Sequence, residues 1–187
     1  RAQSGRVLLA GDDVSALSAP KRVAAGIAMV PEGRRLFGDM SVRENLQVAG
    51  EQARAGPGTR GRVVEALPQL APIMDRPAGV LSGGQRQAVA IGRALMCNPS
   101  VLLLDEVSLG LSPIAVEGVY RSLSQLRDAG TTMVLVEQDL DRALAFADRI
   151  VCMLEGRIVL EGESGAVTRA DVTAAYFGLD ATSEEPA

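Results

Sequence analysis

Three apolar runs in this chain end in residues able to do chemistry. Val30 precedes Pro31 and Glu32, Leu104 precedes Asp105 and Glu106, and Val136 precedes Glu137 and Gln138. In open parallel sheets the ligand lies beyond the carboxyl ends of the strands. One polar strand end is unremarkable, but three with these residue types point to a shared site. Asp105 and Glu106 are adjacent on a strand end, so their side chains start on opposite sides. One can face Mg²⁺ while the other faces a water. Phosphoryl transfer needs that division, because a metal neutralises developing charge and a carboxylate orients or deprotonates the attacking water. By itself, an apolar run closed by Asp-Glu is a weak motif, and an acidic helix-capping pair is the plainer alternative.

A second stretch has complementary chemistry. Ser82-Gly83-Gly84 precedes a helical run beginning near Gln85. Ser82 can cap that helix, and glycines without Cβ let backbone N–H groups approach an anion. The helix N-terminus adds about half a positive charge. An ordinary capped helix after a loop is the competing reading.

The composition narrows the function classes. The chain has 187 residues, 47% hydrophobic and 22% charged, with a net charge of −4. That length suits one domain of roughly 100–200 residues. An acidic chain with 3% aromatics has neither the basic surface nor the stacking platforms of a nucleic-acid binder. No apolar run approaches the roughly 20 residues of a membrane helix. The absence of His excludes His-based triads and His metal sites. Cys97 and Cys152 are expected to be small core residues in a reducing cytosol, not a disulfide framework.

The elements that must position these groups follow from the patterning. Gly5–Ala10 is predicted as a strand, followed by a turn at Gly11-Asp12-Asp13. Pro20–Ala25 reads as a short helix and Ile27–Val30 as a strand. Ser41 and Glu44 form a capping-box pattern for a helix to about Ala49. Ala53–Gly61 is a loop. Val63, Val64, Leu67 and Leu70 suggest another helix, bent or limited by Pro68. Gln85–Met96 carries an apolar stripe of Ala88, Ile91, Gly92 and Leu95. Val101–Leu104 is predicted as a strand buried on both faces. Ser112-Pro113 opens a helix with Val116, Val119, Tyr120 and Leu123 on its apolar face, ended by Gly130. Thr131–Val136 is expected to be another buried strand. A short helix follows, with Leu140, Ala143, Leu144 and Ala147 on its apolar side. Two strands, Ile150–Leu154 and Arg157–Leu160, are joined at Glu155-Gly156. A last helix, Asp171–Phe177, is predicted to close the fold, and Ala181–Ala187 is expected to be a frayed tail. Strands alternating with helices predict an α/β fold with a mainly parallel sheet.

Leu81-Ser82-Gly83-Gly84-Gln85-Arg86-Gln87, followed beyond Arg93-Ala94-Leu95 by Leu102-Leu103-Leu104-Asp105-Glu106, resembles the ATP-binding subunit of an ABC transporter. The first run is similar to the family's signature and the second to its Walker B strand. Val30-Pro31-Glu32-Gly33-Arg34-Arg35, Ser108-Leu109-Gly110-Leu111-Ser112-Pro113, Leu135-Val136-Glu137-Gln138 and Ala174-Ala175-Tyr176-Phe177-Gly178 resemble one branch, the LivF-type subunits of branched-chain amino-acid importers. The resemblance extends from Ser4 to about Gly178.

It implies a P-loop NTPase-like (RecA-like) fold with ATP and Mg²⁺ as cofactors. Residues 1–32 and 98–178 would form the ATPase core, 33–97 a helical signature subdomain, and 179–187 a disordered tail. Glu32 would occupy the Q-loop position and approach Mg²⁺. Ser82, Gly83, Gly84 and Gln85 would bind the nucleotide, with Ser82 and Gly84 at its γ-phosphate. Asp105 would hold Mg²⁺ through water and Glu106 would be the general base. Ser108–Leu111 would be the D-loop, crossing to a partner. Gln138 would stand in the place of the switch histidine. Implied partners are a second ABC ATPase subunit, transmembrane permease subunits and, indirectly, a periplasmic or extracellular binding protein. The implied location is the cytoplasmic face of the cell membrane.

Three departures qualify this. Gln138 can hydrogen-bond a phosphate but takes up no proton near neutral pH. Val107 stands where the family usually has Pro, which frees φ and adds an N–H beside Glu106. No Gly-x-x-x-x-Gly-Lys-Ser/Thr occurs, and the sole lysine is Lys21, so the phosphate cradle is missing. The chain starts at Arg1 and opens on Ser4–Leu9 as if already within a fold, so truncation at the N-terminus is expected, leaving a fragment inactive alone. Apolar sheet edges near Val101–Leu104 and Thr131–Val136 would then lie uncovered. Two alternatives stay open: an ABC ATPase for another cargo, and a non-catalytic module that keeps the fold.

Overall fold

Local signals account for most element boundaries in the computed structural model, which describes residues 4–51, 53–54 and 60–177. The expected frayed tail, part of the 53–61 loop, and Gly178 lie outside the described residues. The chain separates into two units, Arg1–Val134 and Leu135–Ala187.

The first unit opens with a hairpin. β1 (Leu8–Leu9) pairs antiparallel with β2 (Asp12–Asp13), Leu8 opposite Asp13. The expected strand is therefore shorter, and Asp12-Asp13 is its partner, not its turn. Ala10 and Gly11 both have positive φ, 51° and 92°, which is the backbone of a two-residue hairpin turn.

α1 (Ala19–Ala25) ends at Gly26, whose φ of 109° caps it. The Gly26 carbonyl then accepts from Ser100 N at 2.7 Å and Val101 N at 3.0 Å. That sets the parallel register of β3 (Ile27–Val30) on β4 (Val101–Asp105), with Ile27 opposite Val101 and Val30 opposite Leu104. β4 lies between β3 and β5 (Thr132–Val136) in sheet order.

The burial expected on both faces is not found. Ala28, Val30, Leu102 and Leu104 are buried, whereas Val101 and Leu103 are half-buried and Met29 is 52% exposed. On β5, Thr132 and Val134 are exposed and Met133 is half-buried. Strand alternation sends successive side chains to opposite faces, and the described residues cover one of them well.

The helical stretch follows its caps. Ser41 and Glu44 form the reciprocal capping box at the start of α2 (Val42–Gly50). α3 (Arg60–Ala66) stops before Pro68, and a 3₁₀ segment, Pro68–Ile73, continues the path. Proline thus limits the helix by lacking an N–H donor, and Leu67 and Leu70 stay buried beyond it.

α4 (Gly83–Met96) is the centre of the core. Val89, Ala90 and Ala94 are buried beside Ala88, Ile91 and Gly92, whereas Leu95 is half-buried. A single stripe was too narrow an expectation, because α4 packs against α2 and α3 and also against β3 and α5 (Pro113–Asp128). A Cβ on Gly92 would come within 3.0–3.2 Å of Leu46, Leu70 and Val63 side chains. α5 begins as expected, with the Ser112 side chain accepting from Ala115 N and Pro113 in the first turn. Val116, Val119 and Leu123 are buried, and Tyr120 is half-buried.

In the second unit, α6 (Leu140–Phe146) is capped by Asp139, which accepts from Arg142 N. β6 (Arg149–Leu154) and β7 (Arg157–Glu163) form an antiparallel hairpin with Leu154 opposite Arg157. Glu155 and Gly156 at its turn have φ of 49° and 78°, again the two-residue hairpin geometry. α7 (Arg169–Phe177) starts after Thr168, whose side chain and that of Asp171 bond each other's backbone N–H groups.

Candidate active site

Two helix starts lie against each other in the first unit. Ser82 accepts from Gln85 N at 3.3 Å, and Ser82 N donates to Gln85 Oε1 at 3.0 Å. α4 therefore begins at Gly83, two residues earlier than its apolar pattern suggests. A Cβ on Gly84 would lie 2.9 Å from Ala115 Cβ, and one on Gly83 would lie 3.1 Å from Leu111 Cδ2. The two glycines thus admit the segment that starts α5, a packing role invisible from the motif alone. The first turns of two helices, and with them the positive ends of their dipoles, thus lie side by side.

The strand-end acids sit near one another by register. Val30 opposite Leu104 puts Pro31 and Glu32 level with Asp105 and Glu106. Glu32 and Glu106 both line a cleft of about 120 Å³, with Pro31, Gly33, Arg34, Gln87 and Leu109. Asp105, the last residue of β4, is half-buried and is not part of that lining. Glu106 has a φ of 46°, so a left-handed turn aims its side chain, not strand alternation. Val107 behind it is 1% exposed and anchors that turn in the core. Among the described residues no three His, Cys, Asp or Glu side chains converge. Gln138, the third strand-end residue, lies in the second unit.

Two residues of the cleft stand in the motif stretches but had no role assigned to them. Arg34 Nε donates to Gln87 Oε1 at 2.9 Å, and Arg34 Nη2 donates to the Leu109 carbonyl at 3.3 Å. Burial and the neighbouring Arg86 lower the Arg34 pKa, yet a guanidinium stays charged in proteins. Arg34 and Arg35 have φ of 65° and 48°, which costs of order 1–2 kcal/mol per non-glycine residue. Gln87 is 3% exposed, and its Nε2 finds no acceptor among the described residues. Such an unpaired buried donor costs about 1–3 kcal/mol. One signal could have exposed Gln87: it shares the i, i+4 face of buried Ile91.

The loop between β3 and α2 is secured by Asn45 and Arg93. Asn45 is fully buried, accepts from Phe37 N and donates to the Phe37, Met40 and Ser41 carbonyls. Arg93 donates to the Arg35 carbonyl at 2.7 Å and stacks 5.1 Å above the Phe37 ring. The Glu32 loop is thus held at both ends by α2 and α4.

A family model described as ABC transporter matches residues 1–108. The chain belongs to the ABC transporter family. It is 40% identical over 181 residues to the high-affinity branched-chain amino acid transport ATP-binding protein BraG of Pseudomonas aeruginosa, covering 95% of this chain and 78% of that one. It is 36% identical over 163 residues to a probable branched-chain amino acid transport ATP-binding protein, LivF, of Archaeoglobus fulgidus, covering 85% and 69%. Among solved structures, an ATP-binding cassette of an ABC transporter in its ADP conformation superposes with a TM-score of 0.78 at 28% identity, over 94% of this chain and 78% of that one. A dimeric cassette bound to ADP and phosphate gives 0.72 at 25% identity, over 87% and 74%. The parallel pairing of β3 and β4 with flanking helices is therefore that of an ABC ATPase cassette, a P-loop NTPase-like α/β fold. No described helix is long and apolar enough to cross a membrane.

Proposed function

We propose that this ABC family chain is an ATP-binding subunit of an importer that energises branched-chain amino-acid uptake. The observation that supports the reading is the abutment of the Ser82-capped start of α4 on the start of α5, which brings two helix N-termini together at the signature residues. The names of the relatives supply the cargo class. The segment 33–97 acts as the helical subdomain carrying the signature.

Ser82, Gly83, Gly84 and Gln85 present first-turn N–H groups and a hydroxyl to the γ-phosphate of a nucleotide held by a second ATPase subunit. Glu106 accepts the proton of the attacking water, and Gln138 holds geometry where a histidine would titrate. Mg²⁺ favours oxygen donors, one or two carboxylates completed by phosphates and waters. Glu32 on the cleft and Asp105 at the end of β4 fit that donor set, so the lack of a three-acid cluster among the described residues is no obstacle. When bound, the ion would neutralise charge on the phosphates. The subunit would work peripherally at the cytoplasmic face with its permease and, indirectly, a binding protein.

Because the 187 residues contain no phosphate-cradling Gly-x-x-x-x-Gly-Lys-Ser/Thr, this chain alone is expected to turn over no ATP. The test is reconstitution: the protein with its ATPase and permease partners, assayed for ATP-dependent leucine, isoleucine and valine uptake. Uptake abolished by Glu106→Gln supports the reading. Uptake of an unrelated solute instead would reassign the cargo. Turnover by the isolated chain that Glu106→Gln abolishes would refute its proposed inactivity. A second reading is a non-catalytic module. It predicts full transport with Glu106→Gln.

A further inference from the structure

Arg34 joins three stretches of chain that are remote in sequence. Its backbone belongs to the loop after β3. Its Nε reaches Gln87 on α4, 53 residues away, and its Nη2 reaches the Leu109 carbonyl, 75 residues away, in the turn after Glu106. A guanidinium presents several donors in one rigid fork, which an ammonium cannot imitate.

Both partners of this bridge are in disfavoured states. Arg34 and Arg35 have left-handed backbones at φ 65° and 48°, a conformation that persists where surroundings over-determine it. Gln87 turns its carbonyl oxygen to Arg34 and leaves Nε2 without an acceptor among the described residues. The Arg34 bond thus decides which way the buried amide faces. Glu32 stands two residues before Arg34 and Glu106 three before Leu109, and both carboxylates line the same cleft.

We propose that Arg34 is a positioning residue whose bridge between Gln87 and the Leu109 carbonyl holds the Glu32 loop and the Glu106 turn in one fixed relation. The effect on turnover rests on the reading of Glu106 as general base. The bridge itself does not.

Two measurements separate them. A double-mutant cycle on this chain, with Arg34→Met, Gln87→Met and the pair, reads urea unfolding. The bridge predicts clear non-additivity, and additive effects overturn it. The second measurement is ATP turnover by the protein assembled with its partner subunits. Arg34→Met is expected to lower kcat about 10- to 100-fold with the KM for ATP within about twofold. Arg34→Lys is expected to recover only part of the loss. If Glu106→Gln abolishes turnover while Arg34→Met leaves kcat intact, the positioning role is wrong. A rise in KM alone overturns it too. If Glu106→Gln is silent, the functional reading fails, and the cycle still decides the bridge. Should Arg34→Met fold poorly, Arg34→Gln serves in both assays.

Discussion

Gly84 and Ala115 meet so closely that a Cβ on Gly84 would lie 2.9 Å from the Ala115 Cβ. Neither atom belongs to a flexible side chain, so the contact can be relieved only by moving a helix. Gly84→Ala is therefore expected to destabilise the chain by about 1–3 kcal/mol through overpacking. Urea denaturation checks this, and adding Ala115→Gly should restore much of the loss. Equal instability in the double variant would mean that the glycine serves something other than this contact.

Asn45 offers a sharper stability probe. Its buried amide bonds the backbone at Phe37, Met40 and Ser41. Asn45→Leu would leave several buried backbone groups unpaired, each costing about 1–3 kcal/mol. A loss of about 3 kcal/mol or more is expected in chemical denaturation. A near-neutral result would show that water replaces the amide.

The capping box of α2 makes stability depend on acid. Hydrogen bonds from the Ser41 side chain and backbone N–H lower the Glu44 pKa. A carboxylate depressed on folding contributes stability that is present above its unfolded pKa, about 4.3, and lost as pH falls through the folded value. Thermal melts from pH 6 down to about 3 should show this contribution fading in the wild type. In Glu44→Gln the corresponding part of the slope should be missing, and identical slopes would count against the cap.

Cys97 is half-buried, its thiol near the Ala49 and Arg93 carbonyls. Burial raises its pKa, partly opposed by Arg93. The thiolate is the reactive form, so alkylation of Cys97 at neutral pH should be slow and should accelerate on raising pH. Peptide mass spectrometry after timed labelling measures this. Fast labelling at pH 7 would place the thiol in solvent. Neither cysteine is disulfide-bonded, as the sequence implied, though both are half-buried, not deep in the core.

Much of the local structure was legible because its causes are local. Ser41 with Glu44, Ser82 with Gln85, and Ser112 with Pro113 mark helix starts through side chains three residues from the N–H they satisfy. Val30 ends β3 as expected, whereas β4 runs one residue beyond Leu104 to Asp105, and their pairing follows from parallel order. The hairpin at Ala10-Gly11 was missed because Asp12-Asp13 reads as turn chemistry, while pairing to Leu8-Leu9 needs a left-handed alanine. The double burial expected of Val101–Leu104 failed because an apolar run records what a strand could bury, not what covers it.

By itself the sequence determined the family, through the spacing of Ser82–Gln87 and Leu102–Glu106, and with it the fold class. It also held the candidate donors for phosphate and metal, since these are properties of residue type and local backbone. Only the tertiary structure decided which of them share a cleft. Glu106 and Glu32 both line it because parallel register and a left-handed turn put them there, whereas Asp105 does not. The pairing of Arg34 with Gln87 and Leu109 was likewise beyond sequence reading. A hydrogen bond between residues 53 or 75 positions apart depends on how α4 and β4 each pack against β3, and no local pattern encodes that distance.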